Sequence, residues 1–176
     1  MTQIVLTAFC LCLAGLAYAQ HTKVDFKALK STQTGTINLK GSFEEVFPLF
    51  DPINETKWIP EWKIEIIYQK NEGKVEEGMV FRTDKGESER LWTILKFDEI
   101  NRQIQYLYVL PDKVLVKIDL AFTEIRKKQV EAQITYSLTA LSEAGNKLAS
   151  DLTSEVMDDR MSDWEKAVNT YLLSTN

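Results

Sequence analysis

The sequence predicts a single α+β domain in which a curved antiparallel sheet of about seven strands is wrapped on a long C-terminal helix. Three observations support this fold class: strand patterns dominate residues 63–141, short turns separate the strands, and an amphipathic helical pattern ends the chain. Short connections between successive strands favour an antiparallel meander. A length of 176 residues fits one domain with a sizeable core.

Two short helices are predicted directly after the first strand. Residues 33–40 alternate between polar and apolar side chains, which predicts that strand. Ser42 and Glu45 then form a capping box at the start of a helix, and Pro48 keeps this helix short. Residues 51–60 predict a second short helix or turn. We expect these two helices to plug one end of the sheet.

Six further strands are predicted to form the meander. In the fifth of them, apolar residues from Val114 to Phe122 occupy every second position. This pattern predicts that one sheet face is buried and the other is exposed to solvent. Asp119 falls on the wet face with Lys117, so it is not expected to act as a base. The six strands are predicted at residues 63–69, 79–83, 89–97, 103–110, 114–125 and 129–141.

The chain is predicted to end in one helix of nearly 30 residues. Gly145 is expected to close the preceding turn, and Asn146 or Ser150 to start the helix. Such a helix is about 40 Å long, enough to cross the sheet. A single helix about 10 Å wide does not fill a wide curved sheet, so we expect a hollow between the two.

Residues 1–19 have the pattern of an export signal. They carry no charged side chain, residues 4–16 form a nearly continuous apolar run, and Ala17 and Ala19 suit signal peptidase. The apolar run is shorter than the about 20 residues of a membrane span. We therefore expect a secreted or periplasmic protein with no stable membrane span after cleavage; an uncleaved anchor is the alternative. A tail over residues 20–32 would then precede the domain at residues 33–174.

Both cysteines and the single histidine lie in the first 21 residues, as Cys10, Cys12 and His21. The rest of the chain therefore lacks the groups for Ser-His-Asp or Cys-His catalysis, disulfides, or His and Cys metal sites. We expect no metal and no cofactor, and we assign no catalytic residue. The net charge of −5 disfavours a nucleic-acid partner.

Residues 33–173 resemble the SRPBCC superfamily, the START-related and polyketide-cyclase-like proteins with a helix-grip fold. The order of elements supports this resemblance, as does a segment with the spacing Pro-x-x-Glu-x-x-Trp-x-x-x-Trp. The residues that match are Pro52, Glu55, Trp58 and Trp62, together with Gly78-Met79-Val80-Phe81 and Trp92. The resemblance implies that an apolar molecule, such as a lipid, sterol or polyketide, binds in the hollow. A minority of the superfamily catalyses cyclisation or hydrolysis there.

Ten side chains are candidates to line this hollow. Each also has a plainer interpretation, because large aromatic and Met side chains pack cores, tyrosine hydroxyls bond to backbone carbonyls or water, and hairpin arginines are usually solvated. Arg82 would anchor a ligand carboxylate if it pointed inward. The candidates are Trp58, Trp62, Phe81, Arg82, Trp92, Tyr106, Tyr136, Met157, Met161 and Trp164.

Three functions follow as hypotheses from the sequence. The first is an exported protein that binds a small apolar ligand. The second is a cyclase or hydrolase that acts on a polyketide-like substrate, which requires a buried polar group with a shifted pKa in the hollow. The third is an envelope stress or protein-interaction module, which requires an exposed apolar patch.

Overall fold

The computed structural model describes residues 26–83 and 89–175. Seven antiparallel strands form one sheet in the order β1-β7-β6-β5-β4-β3-β2, so the meander of β2 to β7 is completed by β1 against β7. This confirms the predicted fold class; the predicted signal lies outside the described residues. The strands are β1 Lys30–Leu39, β2 Ile64–Tyr68, β3 Val80–Thr83, β4 Arg90–Asp98, β5 Gln103–Leu110, β6 Val114–Arg126 and β7 Gln129–Ala140.

Three short helical turns follow β1 and cover one end of the sheet. They are the helix α1 (Phe43–Val46), a first 3₁₀ helix (Phe47–Phe50) and a second 3₁₀ helix (Asn54–Lys57). The capping box is present, since the Glu45 carboxylate accepts a 2.7 Å hydrogen bond from the Ser42 N–H. That hydrogen bond also lowers the pKa of Glu45.

The core lies between the concave sheet face and the helices. Alternate residues of β5, β6 and β7 are buried there, as their period-2 patterns require. Asp119 lies on the opposite face as predicted, where its carboxylate is 2.7 Å from the Lys117 ammonium and accepts a 2.8 Å bond from Gln105.

The C-terminal helical region consists of two helices, α2 (Glu143–Asp151) and α3 (Ser154–Thr175). The prediction of one helix that begins at Asn146 or Ser150 is wrong. Ser142 caps α2 instead, because its Oγ accepts a 3.1 Å bond from the Gly145 N–H. Gly145 thus lies inside the first turn of α2 rather than before it.

The break between α2 and α3 is stabilised by side chains of β1. The Leu152 carbonyl accepts hydrogen bonds from Ser31 Oγ at 3.3 Å and from Gln33 Nε2 at 3.4 Å. Thr153 then caps α3, since its Oγ1 accepts a 3.3 Å bond from the Val156 N–H. The break therefore satisfies its backbone groups through polar contacts with a strand that is distant in sequence.

The two edges of the sheet differ in how they are covered. Helix α3 covers β1, because the Glu165 carboxylate accepts a 2.7 Å bond from the Asn38 N–H and Asn169 Oδ1 a 2.8 Å bond from the Lys40 N–H. The other edge strand, β2, exposes about half of Ile67 (52%) and Tyr68 (56%). An exposed apolar strand is what the protein-interaction hypothesis requires, and that hypothesis stays a prediction.

No helix in the described part of the chain is both long and apolar enough to cross a membrane. Helix α3 carries seven charged side chains between Glu155 and Lys166.

Replacement of Gly145 by Ala tests how closely α2 is docked on the sheet. A Cβ at this position would overlap the backbone carbonyl oxygen of Lys113. At a solvent-exposed position in a helix interior, replacement of Gly by Ala stabilises a protein by about 1 kcal/mol. In this protein we expect Gly145→Ala to lower the free energy of unfolding by about 1–3 kcal/mol, measured by urea denaturation.

The matched control is Ser150→Ala at an exposed position of α2. We expect it to change stability by no more than about 0.5 kcal/mol. A Gly145→Ala variant as stable as the wild type would contradict the close approach.

Candidate functional site

A small cavity lies in the core between the sheet, helix α3 and the segment that begins with the second 3₁₀ helix. Its volume is about 80 Å³. The register of β5, β6 and β7 places Tyr106, Ile118 and Tyr136 side by side on one wall. Ten side chains line the cavity: Glu55, Ile59, Trp62, Phe81, Trp92, Tyr106, Ile118, Leu120, Tyr136 and Trp164.

Six of the ten candidates from the sequence lie together in this lining. They are Trp62, Phe81, Trp92, Tyr106, Tyr136 and Trp164. They come from four strands, helix α3 and the loop before β2, and the strand alternation explains why the sheet residues point inward. Whether they contact a ligand stays a prediction.

The other four candidates lie outside the cavity, and their expected positions need correction. Arg82 points away from it and forms a two-pronged ion pair with Glu65, with Nε–Oε2 and Nη2–Oε1 distances of 2.9 and 2.7 Å. Phe81 and Arg82 are neighbours on β3, so they cannot both face inward.

Trp58 packs as a core residue beneath the cavity. Its side chain is only 5% exposed, and its Nε1 donates a 2.7 Å bond to the Leu49 carbonyl. Its ring meets that of Trp164 edge to face at 5.4 Å. Trp58 therefore supports a wall of the cavity without lining it.

Met157 and Met161 face β1 rather than the cavity. A Cβ at Gly35 would lie 3.4 Å from Met157 Cγ and would overlap Met161 Cγ. Helix α3 therefore packs directly on β1 at these two methionines. Their role is to pack the helix on the strand.

The indole N–H groups of two lining tryptophans are bonded outside the cavity space. Trp62 Nε1 donates to the Pro52 carbonyl at 2.9 Å, and Trp92 Nε1 donates to Thr83 Oγ1 at 2.9 Å. The two rings meet edge to face at 5.6 Å, and Phe81 stacks on Trp92 at 5.7 Å. These residues thus give the cavity ring surfaces and no hydrogen-bond donors.

Both lining tyrosines keep their protons. The Tyr106 hydroxyl donates a 2.7 Å bond to the Phe50 carbonyl, which is one of the two plainer partners expected for it. Burial raises the pKa of Tyr106 well above its usual range, and it also raises the pKa of Tyr136. The Arg160 guanidinium lies over the Tyr136 ring, 4.6 Å from its centroid. Neither phenol is therefore suited to act as a base near neutral pH.

Glu55 is the one carboxyl in the lining, and the sequence analysis did not select it as a site residue. No described residue donates a hydrogen bond to its carboxyl or forms an ion pair with it. Glu55 is partly exposed, and its side chain lines the cavity. Burial raises the pKa of Glu55 well above its usual range, and the nearby Asp51 carboxyl adds to this.

The neighbouring carboxyl, Asp51, is fully engaged in contrast. It accepts hydrogen bonds from the Ile53 N–H at 2.9 Å, the Asn54 N–H at 2.7 Å and Asn54 Nδ2 at 2.6 Å. Asp51 therefore holds the second 3₁₀ helix in place, while Glu55 of that helix stays available. The spacing of Glu55, Ile59 and Trp62 by four and three residues is the sequence signal that could have identified Glu55.

Among the described residues, no group of three or more His, Cys, Asp or Glu side chains is placed to hold a metal ion.

Comparisons with solved structures establish the fold of the chain. No protein-family model and no curated protein matches this sequence. The structure of norcoclaurine synthase from Thalictrum flavum in complex with dopamine and hydroxybenzaldehyde matches 100% of this chain and 99% of its own. Its TM-score is 0.62 at 12% identity.

Two further solved structures show the same likeness. A START superfamily protein from Mycobacterium smegmatis has a TM-score of 0.59 at 14% identity, over 79% of this chain and 97% of its own. Ara h 8.0201 has a TM-score of 0.57 at 19% identity, over 83% of this chain and 99% of its own. At these identities the likeness establishes the fold. The chain has a helix-grip fold, and the fold that the resemblance implies is confirmed.

The substitution Glu55→Gln tests the environment of the site carboxyl. Because the folded-state pKa of Glu55 is raised, the wild type loses stability as pH rises from the ordinary value of 4.5 through the folded-state pKa. We expect Glu55→Gln to be more stable than the wild type at neutral pH. The two should be equally stable well below pH 4.5, where Glu55 is protonated in both the folded and unfolded states.

The measurement is thermal unfolding of both proteins across this pH range. The control is Glu61→Gln at an exposed position near the same segment, for which we expect no stabilisation. If Glu55→Gln is less stable than the wild type at neutral pH, the carboxylate has a partner and the account of the site is wrong.

Proposed function

We propose that the protein binds one small ligand with an apolar body in the cavity between the sheet and helix α3. The observation that carries this proposal is the cavity itself, which is lined by six aromatic side chains, three aliphatic side chains and one carboxyl. The complex of norcoclaurine synthase with dopamine and hydroxybenzaldehyde supports it, because a protein of similar fold holds small organic molecules.

The size of the cavity restricts the ligand class. At about 80 Å³ it is smaller than a cavity of about 150 Å³ that accepts benzene in another protein. The expected hollow is therefore largely filled by its own aromatic lining. A small molecule, or the narrow end of a longer one, fits this space better than a complete sterol or lipid.

Ligand capture tests the binding proposal. Native mass spectrometry of protein purified from its own host should show a bound small molecule. Ile118→Phe should abolish this added mass because the larger ring fills the cavity, and Leu120→Phe is the second blocking variant.

The matched control is Ile104→Phe, at a fully buried core position outside the lining. It carries the same overpacking cost of about 1–3 kcal/mol but should keep the ligand. The absence of any bound molecule in the wild type, or its retention in both blocking variants, would contradict the proposal.

We also propose that the protein is exported. The support is the uncharged apolar segment at residues 1–19 with small residues before Gln20. Expression of the full chain in its host, followed by fractionation and N-terminal sequencing, should find a mature protein that begins at Gln20 outside the cytoplasm. Uncleaved protein in the cytoplasm would contradict export.

A second candidate function is an enzyme, and Glu55 is the observation that favours it. A carboxyl with a raised pKa can donate a proton near neutral pH, as cyclisation or hydrolysis would require. The pair of Arg82 and Tyr106 that would also favour an enzyme is not assembled, because Arg82 is bound to Glu65. Conversion of the captured ligand by the wild type but not by Glu55→Gln would identify an enzyme.

A further inference from the structure

The cavity combines aromatic walls with one carboxyl that nothing neutralises. Its lining contains no Lys or Arg, and no described residue forms an ion pair with Glu55. Asp51, the adjacent acidic group, is close enough to raise the pKa of Glu55, so ionisation of Glu55 would place a second negative charge at this end of the cavity. A carboxyl is costly to leave in such a place unless a partner arrives to pair with it.

We propose that the cavity binds a small organic ammonium group, with Glu55 as its counter-ion and the aromatic rings as its walls. This inference rests on the proposed ligand-binding function and names the chemistry of the ligand. An ammonium ion is attracted both by a carboxylate and by the faces of aromatic rings, and the attraction is larger where water is excluded.

The polar groups of the lining disfavour an anionic ligand. The N–H groups of Trp62 and Trp92 and the hydroxyl of Tyr106 are already bonded to protein oxygens. An anion would therefore find few donors and would face the Glu55 carboxyl. A neutral apolar molecule would leave that carboxyl unpaired, whereas an ammonium group satisfies it.

The charged and titratable groups around Glu55 determine how binding depends on pH. Asp51 faces it from the same segment, and Tyr106 and Tyr136 face it from the sheet, with both phenols neutral at physiological pH. Arg160 of helix α3 lies on the ring of Tyr136, and Asp51 is the charged group that acts on Glu55. Ammonium binding therefore requires loss of the Glu55 proton, so affinity rises with pH.

The test compares propylammonium with propan-1-ol, which have the same number of non-hydrogen atoms and differ in charge. Binding to the full chain is followed by the indole N–H signals of Trp62 and Trp92 in NMR titrations. We expect propylammonium to bind at least about tenfold more tightly at about pH 8, and this preference to shrink toward about pH 5.

Glu55→Gln should remove the preference, while Glu61→Gln should keep it. If Glu55→Gln does not fold, the pH dependence in the wild type decides the question alone. If both probes bind equally and Ile118→Phe blocks both, the ammonium inference is wrong and the binding function stands. If neither probe binds, the ammonium inference fails, and ligand capture from the host decides the binding function separately.

Discussion

The concave face of the sheet is much wider than the helix that covers it, and this mismatch determines most of the structure. Seven strands span roughly 29 Å, whereas a helix with its side chains is about 10–12 Å across. Helix α3 lies near the β1 side, where Glu165 and Asn169 bond to the strand edge and Gly35 permits close contact. The remaining concave surface has to be covered by other residues.

Large aromatic side chains cover that surface, and their polar atoms are satisfied away from the cavity. Trp58, Trp62 and Tyr106 each bond to a backbone carbonyl of the segment between residues 49 and 52. The same hydrogen bonds therefore fix the short helical segment over the open end of the sheet. This segment in turn carries Glu55 into an otherwise aromatic space.

The sheet could be predicted from the sequence because its strands alternate strongly and its turns are short; the bounds of β5 were predicted as they stand. The lining residues Trp92, Tyr106 and Tyr136 follow from the same alternation. The break after α2 could not be predicted, because it depends on Ser31 and Gln33, which are distant in sequence.

Other features of the site depend on distances between elements in the folded protein, which a sequence pattern does not give. Met161 and Trp164 share one apolar stripe, yet only Trp164 reaches the cavity, because α3 is pressed onto β1 at Gly35. The importance of Glu55 arises from the absence of a partner among its described neighbours, which no motif reveals. Arg82 was a candidate because its strand was recognised, but its partner Glu65 lies on the adjacent edge strand.

The most direct test of this account is the pKa of Glu55, measured in the ligand-free protein by ¹³C NMR titration of its carboxyl carbon. The account predicts a midpoint well above the ordinary value of 4.5, because the carboxyl lies among aromatic side chains that displace water, has no partner among the described residues and is close to Asp51. A midpoint at or below 4.5 would show that the carboxylate is solvated or paired, and it would contradict the central claim.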